Sequence, residues 1–189
     1  MKISETNLTE KGFIFGASED GTIYFRSKRN QYNIEIEQKI LSWLETVRKA
    51  IQQVYGLNVN IRQTSRGPYR LTVLSKSLYT ELPDFRKEYS RLISEDRRFQ
   101  IGFLQGMFDA EATVHFNRYQ IRIASNKVEL IKIVEKLLNS FQIKTGRIHK
   151  DVAVFVLPLY GKENLKRFAE IVNFRHEEKK LRLKKLLSI

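Results

Sequence analysis

The sequence predicts an α+β fold of two similar halves, each running helix, two strands, helix, two strands and a closing helix. Three observations predict it. Apolar residues switch along the chain between the alternation of strands and the spacing of amphipathic helices. The same order of segments then recurs, Gln38 standing against Asn126 at an offset of 88 and Arg62 against Arg147 at 85. Finally, hydrophobic residues make up 42% of the 189, enough to fill a core and too many for a disordered basic tail.

In the first half, Leu8 to Ser18 is mostly apolar, with glycines at 12 and 16. Thr22–Ser27 and Tyr32–Glu37 alternate as strands around a polar hairpin loop at 27–31. From Gln38 to Tyr55, Ile40, Leu41, Leu44, Val47, Ile51 and Val54 mark one helix face, and Gly56 is a stop signal. Asn58–Gln63 and Tyr69–Leu74 read as strands around Arg66-Gly67-Pro68. A helix from Lys76 carries Leu78, Leu82 and Phe85, with Pro83 expected to kink or break it.

The second half opens on an apolar helix, Arg98–Glu111. Strands Thr113–Phe116 and Gln120–Ala124, an amphipathic helix Lys127–Phe141, strands Lys144–Ile148 and Val152–Leu157, and closing helices Gly161–Val172 and Glu177–Leu187 follow. The charged stretch Glu88–Arg98 reads as helical and is no flexible linker. Halves 1–94 and 95–189 are therefore expected to pack rigidly as one pseudo-twofold monomer.

Composition excludes several classes. There is no cysteine, hence no disulfide framework, thiolate metal site or cysteine nucleophile. No apolar run is long enough to span a bilayer, and Met1–Asn7 lacks a secretory-signal pattern, so an intracellular location (cytoplasmic in a prokaryote) is expected. Lys and Arg number 34 against 21 Asp and Glu, and an excess of +13 points to a polyanion. Nucleic acid leads; an anionic membrane surface and a merely soluble surface are the alternatives.

The basic, amide and aromatic side chains concentrate on the hairpins. Tyr24, Arg26, Lys28, Arg29, Asn30, Gln31 and Tyr32 fall on the first, and Arg62, Arg66 and Arg70 on the next. His115, Asn117, Arg118, Gln120 and Arg122, then Arg147, His149 and Lys150, repeat the pattern. A strand presents every second side chain, so such a sheet suits major-groove readout, with loop cations on phosphates. A charged, solvated sheet face is the other reading. The C-terminal run Lys179, Lys180, Arg182, Lys184 and Lys185 reads as a solvated helix face.

Within this basic chain stands Leu104-Gln105-Gly106-Met107-Phe108-Asp109-Ala110-Glu111. Gly106 and Ala110 share a helix face and leave room for a second backbone. Two such helices side by side would bring two acids together at their tips, where a divalent cation would relieve their repulsion. That arrangement suits metal-assisted phosphodiester hydrolysis; a buried helix ending in a solvated Glu is the alternative.

These residues resemble the LAGLIDADG homing endonucleases in their single-chain, two-motif form. Leu104–Glu111 is similar to the signature, with Ala112 where its closing glycine stands. Gln38-Lys39 resembles a Gln-Lys pair of monomeric archaeal members, Ser125-Asn126-Lys127 takes the equivalent place, and Leu74–Tyr79 and Phe174–Lys179 fit further family segments. In the first motif, Gly12-Phe13-Ile14-Phe15-Gly16 matches the helical start and puts the acid at Ala17, whereas Asp20-Gly21-Thr22 matches the acidic end three residues later. Asp20 is favoured, Glu19 is the reserve, and the helical register would leave no first acid. The resemblance implies two αββαββα units joined through their motif helices, with saddle-like sheets over double-stranded DNA. It implies Mg²⁺ (with Mn²⁺ as an alternative) at Asp20 and Glu111, assisted by Gln38, Lys39 and Lys127, cutting a long, imperfectly symmetric target. A degenerate member that binds DNA, or intron RNA as a maturase, is the competing expectation. Ala112 in place of glycine is expected to strain the turn into the strand.

Overall fold

Glycines decide how the two halves meet. Helix α1 (Glu5–Ala17) crosses α4 (Arg97–Glu111) where Gly12 and Gly16 face Gly102 and Gly106. A methyl group at Gly12 or Gly16 would overlap the carbonyl of Phe99 or Phe103; at Gly102 or Gly106 it would overlap that of Thr9 or Phe13. Without Cβ atoms there, the backbones touch directly. The pattern is reciprocal at an offset of 90, so the pseudo-twofold axis runs through this crossing. The close approach thus begins one turn before the Gly106/Ala110 spacing expected from sequence.

This computed structural model describes residues 5–188, so Met1–Ser4 and Ile189, which bound the expected N-terminal stretch and halves, lie outside the described residues. After α1 come β1 (Thr22–Arg26), β2 (Gln31–Gln38), α2 (Leu41–Tyr55), β3 (Val59–Gln63), β4 (Tyr69–Leu74) and α3 (Lys76–Lys87). Following α4 come β5 (Ala112–His115), β6 (Gln120–Ser125), α5 (Val128–Ser140), β7 (His149–Asp151), β8 (Val154–Tyr160), α6 (Lys162–Ile171) and α7 (Glu177–Leu187). The two sheets have the same antiparallel order, β1-β2-β4-β3 and β5-β6-β8-β7. Their first hairpins turn on equivalent left-handed residues, Asn30 (φ 48°) and Tyr119 (φ 47°).

Each sheet buries one face. Ile34, Ile36, Leu71 and Val73 pack with Trp43, Leu44 and Val47 of α2, while Ile121, Ile123, Leu157 and Leu159 pack with Leu130, Ile131 and Val134 of α5. Each such side chain contributes roughly 1.5–3 kcal/mol by leaving water. The helices therefore cover one side of both sheets, and the opposite faces are largely left to solvent, with Asn33 and Val156 buried on them.

Three expectations are corrected. Helix α3 is not broken at Pro83: one N–H is lost there, while Leu82 and Phe85 beside it stay buried. Glu88–Arg98 is not one helix; Tyr89–Ser94 forms a 3-10 segment, and Asp96 caps α4 by accepting from the Arg98 N–H at 2.8 Å. The strand expected at Lys144–Ile148 is displaced to His149–Asp151. The register that pairs His149 with Val156 would set Arg147 opposite Pro158, which has no N–H to continue the ladder. Gly146 still donates to the Pro158 carbonyl at 2.8 Å. Among the described residues, no helix is long and apolar enough to cross a membrane.

Candidate functional site

The crossing delivers two acids to one place by different routes. Helix α4 stays helical through Glu111, so its second acid sits on the last turn. Helix α1 stops at Ala17, four residues earlier relative to the shared glycines. Ser18–Asp20 then form a turn closed by the Gly21 N–H donating to the Ser18 carbonyl at 2.7 Å. A Cβ at Gly21 would stand 2.8 Å from that same oxygen, which is why glycine occupies the corner. The turn reconciles both readings of the first motif: the helical register ends at Ala17, and Asp20 still reaches the tip of the pair. Ala112 has ordinary extended backbone (φ −89°, ψ 153°), so the strain expected there is absent.

Asp20 is exposed and Glu111 half-buried, and their carboxyl groups lie within hydrogen-bonding reach. Burial first, then Asp20, pushes the Glu111 carboxyl up to about 8; Glu19 adds repulsion and Lys179 opposes the rise. At 4 Å two such charges would repel by about 4 kcal/mol near a protein surface. The pair therefore shares negative charge that its surroundings leave uncompensated. Among the described residues, no three His, Asp or Glu side chains converge to hold a metal on their own.

The inner acid of each motif is structural. Asp109 is fully buried and accepts from Trp43 Nε1 at 3.2 Å and from the backbone N–H groups of Arg175 and His176 at 3.1 Å. Burial raises its carboxyl to about 6 against those hydrogen bonds. Its counterpart is Glu19, buried, accepting from Tyr89 Oη at 2.7 Å and Lys127 Nζ at 3.1 Å, with Arg86 Nε 3.8 Å away. Glu19, the reserve acid in sequence, is thus turned inward, while Asp20 points to solvent.

Polar groups flank the two tips unequally. Gln38 and Lys39 line a cavity of about 370 Å³ with Glu111, Lys179 and Arg182. The Lys39 N–H donates to Gln38 Oε1 at 2.8 Å, so the Gln38 amide NH₂ remains available. Lys127 stands on the other side, held by Glu19 and by Tyr89 Oη at 3.0 Å. Lys179 corrects the reading of the C-terminal run as a solvated face. Its ammonium donates to the carbonyls of Phe108 (3.2 Å) and Asp109 (2.5 Å), and burial lowers it to about 8. Lys180, Arg182, Lys184 and Lys185 are exposed as expected.

Strand pairing sorts the residues expected on the sheets. Tyr24, Arg26, Gln31, Arg62 and Arg70 share the open face of the first sheet. Lys28, Arg29 and Asn30 form its hairpin tip, and Arg66 lies in the β3–β4 turn. Tyr32 has the opposite parity: it packs its ring 5.0 Å from Tyr79 on the helix side, so its placement among the open-face residues is corrected. His115, Gln120, Arg122 and His149 share the open face of the second sheet, with Asn117 and Arg118 at the hairpin tip and Arg147 in the loop before β7. Lys150, paired with Phe155, falls on the opposite parity and is likewise corrected. Sequence reasoning passed over Asn33, Asn58, Asn60 and Thr72 on the first open face, and Arg86, Tyr89 and Lys179 at the tips. Alternation with Arg62 would have found Asn58 and Asn60; the others depend on long-range packing.

The match to known proteins follows this geometry. Residues 98–173 match the LAGLIDADG-like domain. The chain is 28% identical to homing endonuclease I-ApeI of Aeropyrum pernix, an alignment covering 93% of this chain and 86% of that protein. Its fold superposes on I-DmoI, solved with DNA and Mn, with a TM-score of 0.71 at 21% identity, covering 88% of this chain and 97% of that one. It also resembles the N-terminal LAGLIDADG domain of DUF199/WhiA, with a TM-score of 0.63 at 15% identity, covering 90% and 82%. Residues 98–173 thus carry the LAGLIDADG-like match, and the whole chain is similar to single-chain, two-motif LAGLIDADG proteins in sequence and fold.

Proposed function

We propose that the protein is a site-specific endonuclease that hydrolyses double-stranded DNA with a divalent metal, Mg²⁺ first and Mn²⁺ second. The observation that carries this reading is the meeting of Asp20 and Glu111 at the tips of the glycine-packed helices, between two open sheet faces. The relatives point the same way: one is named a homing endonuclease, and another is solved with DNA and Mn. Burial and the neighbouring Asp20 carboxylate, which together raise Glu111, suit a hard cation, which takes carboxylate and phosphate oxygens. Asp20 and Glu111 would hold it, and when bound the ion supplies Lewis acidity toward the phosphodiester.

The chain's own side chains supply the rest. The Gln38 amide, oriented by its bond from Lys39, donates toward a phosphate or water on the Glu111 side. Lys39 adds an exposed positive charge there. On the Asp20 side, two protons of the Lys127 ammonium are held by Glu19 and Tyr89, leaving the third for phosphate charge. Hydrolysis adds water across the ester P–O bond, and the departing oxygen leaves with a proton. The pseudo-twofold pairing of the sheets suits a long, imperfectly symmetric target and staggered cuts, read by one chain as a monomer inside the cell.

The test is cleavage of duplexes first selected for binding from a random library in Ca²⁺. Adding Mg²⁺ should give discrete double-strand products that EDTA abolishes. Tight binding with no cutting in Mg²⁺ or Mn²⁺ would replace the endonuclease with a DNA-binding protein.

A further inference from the structure

The two open faces differ in the chemistry they offer. On the first sheet, the pairs Arg26–Gln31, Thr22–Glu35, Glu35–Thr72, Thr72–Asn60 and Arg70–Arg62 place polar side chains row upon row. Gln31, Asn58, Asn60, Arg62 and Thr72 line a shallow groove there, and no described protein group occupies their side chains. Arg70 is held instead: its Nε donates to Glu37 Oε1 at 2.7 Å, with Glu35 3.3 Å away. Tyr24 donates to Glu35 at 2.7 Å and accepts from Arg26 at 2.7 Å. The face is therefore a set of free amides and one free guanidinium beside a braced ionic cluster.

The second sheet is poorer. Its open face pairs Gln120 with Tyr160, Arg122 with Pro158 and Ala124 with Val156. Arg122 is tied to Asp151 at 3.1 Å. Its remaining polar groups are Thr113, His115, Gln120, the exposed Tyr160 and His149, whose Nδ1 lies 3.3 Å from the Arg147 carbonyl, with none of the free amides of the first face beyond Gln120. Burial together with nearby Arg122, Arg118 and Arg182 keeps His115 low in pKa. Amides pair in bidentate fashion with adenine and guanidinium with guanine, whereas apolar groups meet little beyond a thymine methyl.

Resting on the DNA reading above, we propose that the first sheet specifies base sequence while the second is permissive, so the target is recognised mainly through one half. Asn58, Asn60 and Arg62 on β3 and the loop before it are the specificity-determining residues. Their side chains are exposed, so replacing them leaves the core intact.

The experiment is selection of the full chain on a random-core duplex library in Ca²⁺, followed by sequencing of the enriched pool. One half of the site should carry at least about twice the base preference of the other. Asn60→Ala and Arg62→Ala should each flatten preference roughly tenfold at one position within that stronger half. Thr113→Ala and Gln120→Ala should leave the profile nearly unchanged. Equal preference in both halves, or flattening by Gln120→Ala as large as by Asn60→Ala, would overturn the inference while leaving DNA recognition intact. No enrichment of any duplex would overturn the DNA reading itself, and the inference with it.

Discussion

The Glu111 tip and the Asp20 tip of the crossed helices are built differently for the same task. At the first, the helix runs on to its acid, and Lys179 from α7 donates to the final-turn carbonyls. At the second, the helix breaks off at Ala17 and a glycine-cornered turn carries Asp20 forward. The inner acids follow suit, Asp109 braced by backbone N–H groups and Glu19 by a lysine and a tyrosine. The difference teaches that the glycine crossing, and not the helix ends, sets where the acids meet. Either local backbone works once the two axes are fixed.

That claim breaks first at the crossing. Gly16→Ala or Gly106→Ala forces backbone against methyl, and a loss of about 3 kcal/mol or more is expected in thermal or urea unfolding. A variant with unchanged stability would show that the helices tolerate separation. Next comes the Asp20 tip alone. Glu19→Gln leaves Lys127 and Arg86 without their shared carboxylate, and about 1–3 kcal/mol should be lost, less than for a sealed pair because Lys127 is partly exposed. Its partner comparison is Lys127→Met, which should cost less than Glu19→Gln; the reverse order would reassign the brace.

The Glu111 tip is sharpened by pH. Unfolded glutamate ionises near 4.5, while folded Glu111 keeps its proton to about 8. Folding therefore takes up a proton across that window, and stability falls as pH rises through it. Glu111→Gln should flatten this slope and be more stable than wild type at pH 8 by on the order of 1 kcal/mol. A wild-type stability that rises from pH 5 to 8 would contradict a Glu111 carboxyl raised by burial and Asp20. The smallest effect is at Ala112: with extended backbone already in place, Ala112→Gly should lose roughly 0.5–1 kcal/mol and gain no activity.

Much of this was legible because it is local. Alternation placed β4 at Tyr69–Leu74, helical spacing and a left-handed Gly56 (φ 64°) ended α2, and the second motif announced its helix. What sequence could not show depends on partners far along the chain. The offset of the first acid is absorbed by a turn whose place is set by α4, across the crossing. Pro158 silences a strand some ten residues away only once β8 is paired. Lys179 belongs to a basic run by composition and to the site by packing, since α7 docks against the end of α4. Tyr32 and Lys150 were misplaced for a simpler reason, one step of strand parity, which pairing alone resolves.

The most direct measurement compares wild type, Asp20→Asn, Glu19→Gln and Glu111→Gln on one Ca²⁺-selected duplex, with binding measured in Ca²⁺ and cutting in Mg²⁺. All four should bind. Wild type should cut, Glu19→Gln should keep cutting below its melting temperature, and Asp20→Asn and Glu111→Gln should lose at least about 10²-fold in rate. Cutting by either of those two at the wild-type rate would contradict the shared site at the helix tips.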